Sequence, residues 1–344
     1  MRKSALFHYV SAGVLLMALV AGSAAQAQKL VVAHRGASGY LPEHTLEAKA
    51  MAHAMGAHYI EQDVVMTRDD QLIVLHDITL DRTTDVAERF MGRAREDGKY
   101  YAIDFTLDEI RTLQVREAVR NDNGLESVIY KNRFPLDKSR FRINTLAEEI
   151  ELIQGLNKST GRDVGIYPEV KSPSFHRREG KDLSSALVAM LKDYGYTSRE
   201  HKVFLQTFDF NELKIIHDEV MPAAGVDIKL VQLISDSEDF AWMKDDSGMA
   251  TIAVYADGIG PDKSMIIATD TPVGRVASSD LVDLAHSHGM EVHPYTFRLD
   301  PGQVPGYAKD FEELLQLFYV EVGVDGVFTD FPDRAVRFLN SRGI

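Results

Sequence analysis

Short apolar runs rich in β-branched residues alternate with amphipathic stretches along most of the chain. Eight runs have the length and composition of strands: Leu30–Ala33, Tyr59–Met66, Val164–Val170, Val203–Thr207, Lys229–Ile234, Val254–Ile259, Glu291–Thr296 and Gly326–Thr329. Helical patterns lie between most of them, at Thr45–Met55, Thr145–Gly155, Asp182–Tyr194, Asn211–Glu219, Ser278–His288 and Lys309–Val322. This alternation predicts an α/β protein of parallel β/α units, most simply a closed eightfold barrel. An open doubly wound sheet is disfavoured because no Gly-x-Gly-x-x-Gly turn follows the first strand.

Residues from about 79 to 141 break this alternation, being polar, aromatic and irregular in pattern. Within them, Leu107–Val115 alone has a clear helical spacing of apolar residues. We therefore predict an insertion after the second β/α unit that caps one face of the barrel. A subdomain or a dimer contact would leave the same pattern.

Composition narrows the class of protein. Of the 344 residues, 45% are hydrophobic and 26% are charged, which is typical of a globular protein and excludes a disordered one. The formal net charge is −14 and no basic block is present, which argues against nucleic acid or an anionic membrane surface as a partner. The absence of cysteine excludes disulfides.

The first residues have the pattern of a secretory signal peptide. Arg2 and Lys3 precede a largely apolar run, Val10–Ala21, and small residues follow at Ala25-Gln26-Ala27. A membrane anchor is the alternative, but the run is shorter than the ~20 residues that span a bilayer. We therefore expect export with cleavage after Ala27, no stable membrane anchor, and one domain over residues 28–344.

Ionisable side chains cluster where the predicted strands end. Glu61 and Asp63 are two residues apart and so point to one face of their strand, His34 ends the first strand, and His76 and Glu169 follow other apolar runs. In a barrel these positions meet at the mouth formed by the carboxyl ends of the strands. Three carboxylates suit calcium or magnesium, whereas zinc normally recruits histidine or cysteine. The pattern thus predicts a metal site beside two acid/base histidines.

The same two-residue spacing relates Glu169 to Lys171 and His293 to Tyr295, so these side chains are expected at the mouth as well. Lys171 has two interpretations, a contact to a phosphate group or a surface ion pair with Glu169. Glu61 and Asp63, taken alone, would also fit a solvated turn at a strand edge.

At this point the motifs resemble a known family, the glycerophosphodiester phosphodiesterases, and most closely its periplasmic bacterial type. The matching segments are His34-Arg35-Gly36, Pro42-Glu43-His44-Thr45, Glu61-Gln62-Asp63-Val64, Leu75-His76-Asp77, Tyr167-Pro168-Glu169-Val170-Lys171, Leu205-Gln206-Thr207-Phe208-Asp209, Ala256-Asp257-Gly258-Ile259-Gly260-Pro261, Val292-His293-Pro294-Tyr295-Thr296 and Phe328-Thr329-Asp330-Phe331-Pro332. They are spread over essentially the whole chain after residue 27.

The resemblance implies a TIM barrel that hydrolyses small-molecule glycerophosphodiesters to an alcohol and sn-glycerol 3-phosphate in the periplasm. Carried over by position, its catalytic residues are His34 and His76, and its metal ligands are Glu61, Asp63 and Glu169, with Ca2+ as the cofactor and Mg2+ as the alternative. Its substrate-binding positions fall on Arg35, Lys171, Gln206, Phe208 and Tyr295. A homodimer is a further expectation from the resemblance.

Three other functions remain open on the residues alone. A phospholipase-like barrel for lipid diesters would need an apolar rim or a basic face, and a binuclear amidohydrolase would need a His-x-His pair where this chain has His34-Arg35-Gly36. A binding protein that only captures glycerophosphodiesters would not need two acid/base histidines. The attacking group is open too: the glycerol 2-hydroxyl, through a cyclic phosphate, or water directly.

Overall fold

A computed structural model describes residues 28–122, 125–272 and 277–344; the predicted signal peptide lies outside these ranges. The strands are β1 (Leu30–Ala33), β2 (Tyr59–Met66), β3 (Leu72–Val74), β4 (Val119–Asp122), β5 (Leu125–Val128), β6 (Gly165–Val170), β7 (Phe204–Thr207), β8 (Lys229–Ile234), β9 (Gly258–Pro261), β10 (Glu291–Val292) and β11 (Gly326–Thr329). The α-helices are α1 (Leu46–Ala54), α2 (Val86–Arg89), α3 (Leu107–Ile110), α4 (Leu146–Thr160), α5 (Pro173–Arg178), α6 (Leu183–Asp193), α7 (Phe210–Ile215), α8 (Met221–Ala224), α9 (Asp246–Ile252), α10 (Leu281–Ser287), α11 (Phe311–Gln316) and α12 (Pro332–Arg342).

Eight parallel strands form the barrel, in the order β10, β9, β8, β7, β6, β2, β1, β11. The first and last strands of that path meet: the Asp325 amide donates to the Val292 carbonyl at 3.0 Å, and Phe297 and Thr329 form a parallel bridge. Helices such as α1, α4 and α6 pack their apolar faces on the outside. The predicted eightfold barrel is confirmed, and the open doubly wound sheet is excluded.

Two strand boundaries differ from the prediction. The run that begins at Val254 becomes a strand only from Gly258, because Val254 and Tyr255 lie in the turn that follows α9 and Val254 is 62% exposed. The run Glu291–Thr296 pairs as a regular strand over Glu291–Val292 alone. Length and β-branching do not distinguish an apolar turn from the strand beside it.

Aromatic side chains fill the lower layer of the barrel interior. Tyr59, Tyr167 and Phe204 are buried there, with the rings of Tyr167 and Phe204 stacked 4.9 Å apart. Glycines make room for them: a Cβ at Gly165 would collide with the Tyr59 ring, and one at Gly326 would lie 2.8 Å from the His293 ring. Two residues further along the same strands, the inward side chains become polar, so the reactive layer rests on an apolar floor.

Residues 79–141 pack on the barrel through a second apolar cluster. This cluster combines residues of β2 and β3 with residues of the irregular segment: Val65, Ile73, Leu75, Leu80, Val86, Tyr100, Ala102, Phe105, Ile110, Leu113, Val115, Phe141 and Ile143. The helix predicted to reach Val115 begins at a Thr106–Glu109 capping box but ends at Ile110, because Val115 instead forms bridges to Thr84 and Phe141.

None of the helices within the described residues has the length and apolar content that crossing a bilayer requires. The homodimer inferred from the resemblance stays a prediction, as does the role of the segment 79–141.

Candidate active site

A pocket of about 210 Å³ opens at the carboxyl ends of the barrel strands. It is lined by all ten residues singled out from the sequence as site residues: His34, Arg35, Glu61, Asp63, His76, Glu169, Lys171, Gln206, Phe208 and Tyr295. Further lining residues are Leu233, Asp262, Lys263, Thr296, Arg298 and Phe328. The spacing argument therefore brings the predicted groups together in space, although their chemical roles need separate evidence.

His34, directly after β1, is oriented by Asp330 at the end of β11. Its Nδ1 donates to Asp330 Oδ1 at 2.6 Å, which leaves Nε2 as the nitrogen without a proton in the neutral ring. Burial would raise the pKa of Asp330, but the Arg298 guanidinium and the hydrogen bond from His34 hold it well below its ordinary value. Burial and then the charge of Arg35 lower the pKa of His34 to about 4, so the ring is uncharged at neutral pH.

His76, which lines the same pocket, has the same kind of partner. Its Nδ1 donates to Asp77 Oδ1 at 2.5 Å, and Arg82 binds the other carboxylate oxygen of Asp77 at 2.6 Å. Arg82 also binds Glu43 at 2.6 Å, so the arrangement is tied to the loop after β1. The side chain of His76 is 32% exposed, and partial burial together with the charge of Arg35 lowers its pKa.

Three carboxylates line the same pocket as the two histidines. Burial, and then the charge of Asp63, raise the pKa of Glu61 well above its ordinary value, and burial raises the pKa of Glu169 to about 8. Asp63 has the opposite shift: burial is outweighed by Lys171 and by the hydrogen bond from His44, which hold its pKa well below the ordinary range. Crowded like charges of this kind are relieved when a cation binds.

Candidate metal-ligand atoms of His44, Glu61 and Asp63 lie within 4.8 Å of one another, so this group could hold a metal ion. His44 is already engaged, because its Nε2 donates to Asp63 Oδ2 at 2.7 Å and its Nδ1 accepts from Lys49 at 3.1 Å. Asp63 Oδ1, by contrast, is buried without a hydrogen-bond partner among the described residues. The oxygens are therefore the donors best placed to bind a cation, and His44 orients one of them.

The two predicted cationic contacts are both ion-paired in this structure. Arg35 has a left-handed backbone (φ 59°), which aims its amide at Glu61 Oε2, 2.5 Å away. Its guanidinium binds Glu43 at 2.9 Å, while Lys171 Nζ lies 2.9 Å from Glu169. The two interpretations of Lys171 are thus compatible: it pairs with Glu169, and it lines the pocket.

The remaining wall is mixed in character. Gln206 is buried beside Glu169, its register partner in β6, and its Oε1 has no hydrogen-bond partner among the described residues. The rings of Phe208 and Tyr295 meet edge to face at 5.8 Å, and the Tyr295 hydroxyl donates to the Ile234 carbonyl. The expectation that His293 lies at the mouth is wrong: His293 is fully buried one layer below, hydrogen-bonded to the Tyr167 hydroxyl at 3.0 Å.

The sequence model of the glycerophosphoryl diester phosphodiesterase family matches residues 34–334. The chain belongs to this family. The glycerophosphodiester phosphodiesterase of Haemophilus influenzae is 45% identical over 337 residues, which cover 93% of this chain and 92% of the relative. The one from Treponema pallidum is 41% identical over 344 residues, covering 95% and 96%.

The fold agrees with solved structures. A phosphodiesterase from Oleispira antarctica, solved in complex with the product sn-glycerol-3-phosphate, superimposes with a TM-score of 0.62 at 20% identity and covers 91% of this chain and 97% of its own. At that identity the likeness shows the barrel fold alone. Because it belongs to this family, the chain is an enzyme that acts on glycerophosphodiesters. The alternative functions of an amidohydrolase and of a simple binding protein are therefore excluded.

The sequence does not predict a buried ion pair that contacts the backbone of Glu61. Lys49 on α1 is fully buried, and its Nζ lies 3.1 Å from Glu149 Oε2 on α4 while also binding the Glu61 carbonyl and His44. Both residues were assigned to helical patterns, where Lys and Glu are usually exposed. The one signal in the sequence is that Lys49 and Glu149 fall on the apolar face of their helices, and periodicity alone does not distinguish a buried ion pair from an exposed position there.

Replacing Lys49 with methionine is expected to lower the free energy of unfolding by about 3–5 kcal/mol, because it leaves a buried carboxylate at Glu149 without its partner. Urea unfolding followed by circular dichroism measures the change. The double variant Lys49→Met/Glu149→Met should recover the part of the loss that comes from the unpaired charge, while the Glu61 carbonyl and His44 stay without the Lys49 donor. A loss below about 1 kcal/mol in the single variant would contradict a structural role for the pair.

Proposed function

We propose that this enzyme hydrolyses glycerophosphodiesters to an alcohol and sn-glycerol 3-phosphate, using a divalent cation and two histidines that share the proton transfers. The observation that carries the proposal is the pairing of His34 with Asp330 and of His76 with Asp77 around one pocket that also contains three carboxylates. Family membership supports the substrate class, and the Oleispira antarctica phosphodiesterase supports the identity of the product.

Glu61, Asp63 and Glu169 would hold the cation, and calcium is the proposed ion, with magnesium as the alternative. Buried carboxylate oxygens are the donors that such hard cations prefer, and one of them, Asp63 Oδ1, has no hydrogen bond and only a longer ion pair, 3.5 Å, with Lys171. When bound, the cation supplies Lewis-acid neutralisation of the phosphoryl oxygens. Arg35 and Lys171 add positive charge on the same wall, where their ion pairs hold them in place.

The histidines are prepared for proton transfer by their aspartate partners. Each Nδ1–H is held by a carboxylate, so each neutral ring keeps the lone pair of Nε2 to accept a proton. One histidine, in its neutral form, accepts at Nε2 the proton of the attacking hydroxyl group; the other enters the step protonated at Nε2 and donates that proton to the oxygen of the leaving alcohol. The aspartates stabilise the protonated ring that forms at each stage, as a carboxylate does in other hydrolytic sites.

The products of glycerophosphocholine test the choice of bond. Incubation of the purified protein with calcium should release choline and sn-glycerol 3-phosphate in equal amounts, measured by 31P NMR and an enzymatic choline assay. Phosphocholine with glycerol would mean that the other ester bond is cleaved, which would contradict the proposal.

The titration of His34 is expected far below that of an ordinary histidine. Because burial lowers its pKa to about 4, the ring should be neutral above that pH and gain its proton only as the pH falls through it. Histidine-labelled protein observed by NMR should show a ring resonance with a midpoint near 4 that is absent from the His34→Gln variant, while the resonance of His44, whose pKa burial lowers to about 3, remains. A midpoint near ~6.5, the ordinary value for histidine, would contradict the proposed environment.

We also propose that the protein is exported. Residues 1–27 direct the chain through the inner membrane and are removed, so the mature enzyme acts on glycerophosphodiesters in the periplasm. Arg2, Lys3 and the apolar run that follows them support this. N-terminal sequencing of protein purified from a periplasmic extract should begin at Gln28; a chain that retains Met1 would contradict cleavage.

A further inference from the structure

Two cations that the sequence did not single out line one wall of the pocket. Lys263 lies just after β9, in a short 3-10 turn, Lys263–Met265, and Arg298 follows β10. The Lys263 amide donates to the Tyr295 carbonyl at 2.8 Å, so the turn is held against the segment after β10 that contains Tyr295. Both side chains are partly buried.

Arg298 is only partly satisfied by protein groups. Its Nε donates to Asp330 Oδ2 at 2.9 Å, and among the described residues this is its one hydrogen bond to a protein oxygen. Asp330 has little capacity left, because His34 and Arg133 also donate to it, at 2.6 and 2.5 Å. Arg133 also donates to Asp300. Since Arg298 uses only Nε in its hydrogen bond to Asp330, its two terminal guanidinium nitrogens are available to another acceptor.

Lys263 differs from the other two lysine and arginine groups in the predicted site, which each contact a carboxylate. Over residues 28–122, 125–272 and 277–344, no carboxylate oxygen lies within 4.0 Å of Lys263 Nζ. The adjacent Asp262 is occupied instead, since its Oδ1 accepts from the amide and the hydroxyl of Ser264. Burial lowers the pKa of Lys263; the negative charge of Asp262 acts in the opposite direction, and the positive charge of Arg298 lowers the pKa further.

A partly buried cation next to another cation is costly unless an anion joins them. We propose that Lys263 and Arg298 form an anion subsite that binds a phosphate or carboxylate oxygen of the substrate. The subsite deepens the proposed function and rests on it. Two parts of a glycerophosphodiester could supply the oxygen, either the phosphoryl group itself or an anionic group on the alcohol.

The Asp330 carboxylate links this subsite to His34, because it accepts hydrogen bonds from both His34 and Arg298. A group bound by Arg298 therefore lies on the same side of the pocket as one of the proposed catalytic histidines. This placement makes the phosphoryl group the expected occupant. Calcium and the carboxylates would then face the phosphoryl group from one wall, and Lys263 and Arg298 from the other.

The experiment compares Lys263→Met with wild type in two measurements. The first is calorimetric titration of chelator-treated protein with sn-glycerol 3-phosphate, which needs no turnover. The second is KM for glycerophosphocholine and for glycerophosphoserine, whose alcohol carries a carboxylate. Lys263→Arg keeps the charge and should restore binding, and Lys158→Met, at an exposed position on α4, is the matched control.

We expect Lys263→Met to weaken glycerol 3-phosphate binding by about 10- to 100-fold, the range for one lost charge-assisted hydrogen bond, and to raise KM for both diesters alike. A rise in KM confined to glycerophosphoserine, with product binding unchanged, would place the alcohol's anion in the subsite instead. Unchanged binding and unchanged KM in both assays would overturn the subsite. Failure of the wild type to cleave either diester would overturn the proposed function, while the titration would still decide the subsite.

Discussion

Replacing His34 with alanine is expected to lower kcat by at least about 100-fold, and His76→Ala should do the same, because a positioned acid or base contributes roughly 10²–10⁴-fold. The structure places each ring against a carboxylate that fixes its tautomer. Alanine has no ring nitrogen, so the group that transfers the proton is lost. Initial rates with glycerophosphocholine at saturating calcium measure the effect.

The fold should survive these changes. In His34→Ala, Asp330 keeps the hydrogen bonds from Arg133 and Arg298, so its buried charge stays compensated and the melting temperature should shift little. In His76→Ala, Asp77 keeps Arg82. His288→Ala is the matched control, since that ring contacts an exposed aspartate, Asp246, instead of the pocket. Near-normal turnover in either site variant would remove that histidine from the mechanism.

Removal of divalent cations is expected to reduce turnover by at least about 100-fold, and calcium should restore it. Charge neutralisation by a bound cation is worth several kcal/mol of transition-state stabilisation, and about 1.36 kcal/mol corresponds to a factor of ten. Because burial raises the pKa of Glu169 to about 8, that carboxyl is protonated at neutral pH before the cation binds. Calcium binding should therefore release a proton, and calcium affinity should increase as the pH rises toward 8.

A readout that does not depend on turnover accompanies this prediction. Calcium should raise the melting temperature of the wild type, since it binds the folded state, where Glu61, Asp63 and Glu169 are brought together, and not the unfolded chain. Glu61→Gln should weaken that stabilisation. Glu96→Gln, at an exposed position that does not line the pocket, should leave it unchanged. Full turnover after exhaustive chelation, with no thermal response to calcium, would contradict a metal-dependent site.

The fold was accessible from the sequence because its determinants are local. Each barrel strand is a short β-branched run with its own flanking turn, and four of them, β1, β2, β8 and β11, begin and end where the pattern predicts. The predicted strand boundaries are wrong where an apolar turn lies next to a strand, as at Val254. Segment 79–141 was harder, because its short helices are stabilised mainly by packing against β2 and β3.

The sequence predicts which residues meet at the strand ends, but not the residues that support them from behind; the chemical roles of both sets stay predictions. The ten predicted residues lie at strand ends, where two-residue spacing already specifies their direction. Asp330 and His44 belong to motifs that the chain shares with the family, but the sequence predicts no role for them. It predicts no role for Lys49 or Lys263 either. Their positions depend on contacts between distant segments, such as Lys49 with Glu149, and no local pattern encodes which helical face meets which.

The pairing of β1 with β11 has a consequence for how the chain reaches its active form. These strands join the two ends of the domain, and His34 and Asp330, 296 positions apart, meet where they close the ring. Until the last strand is added, β1 presents an unpaired edge and the histidine lacks its acceptor. Closing so long a loop is entropically costly, so we expect barrel closure to be late and slow in refolding, with activity recovered only after most helical signal has returned.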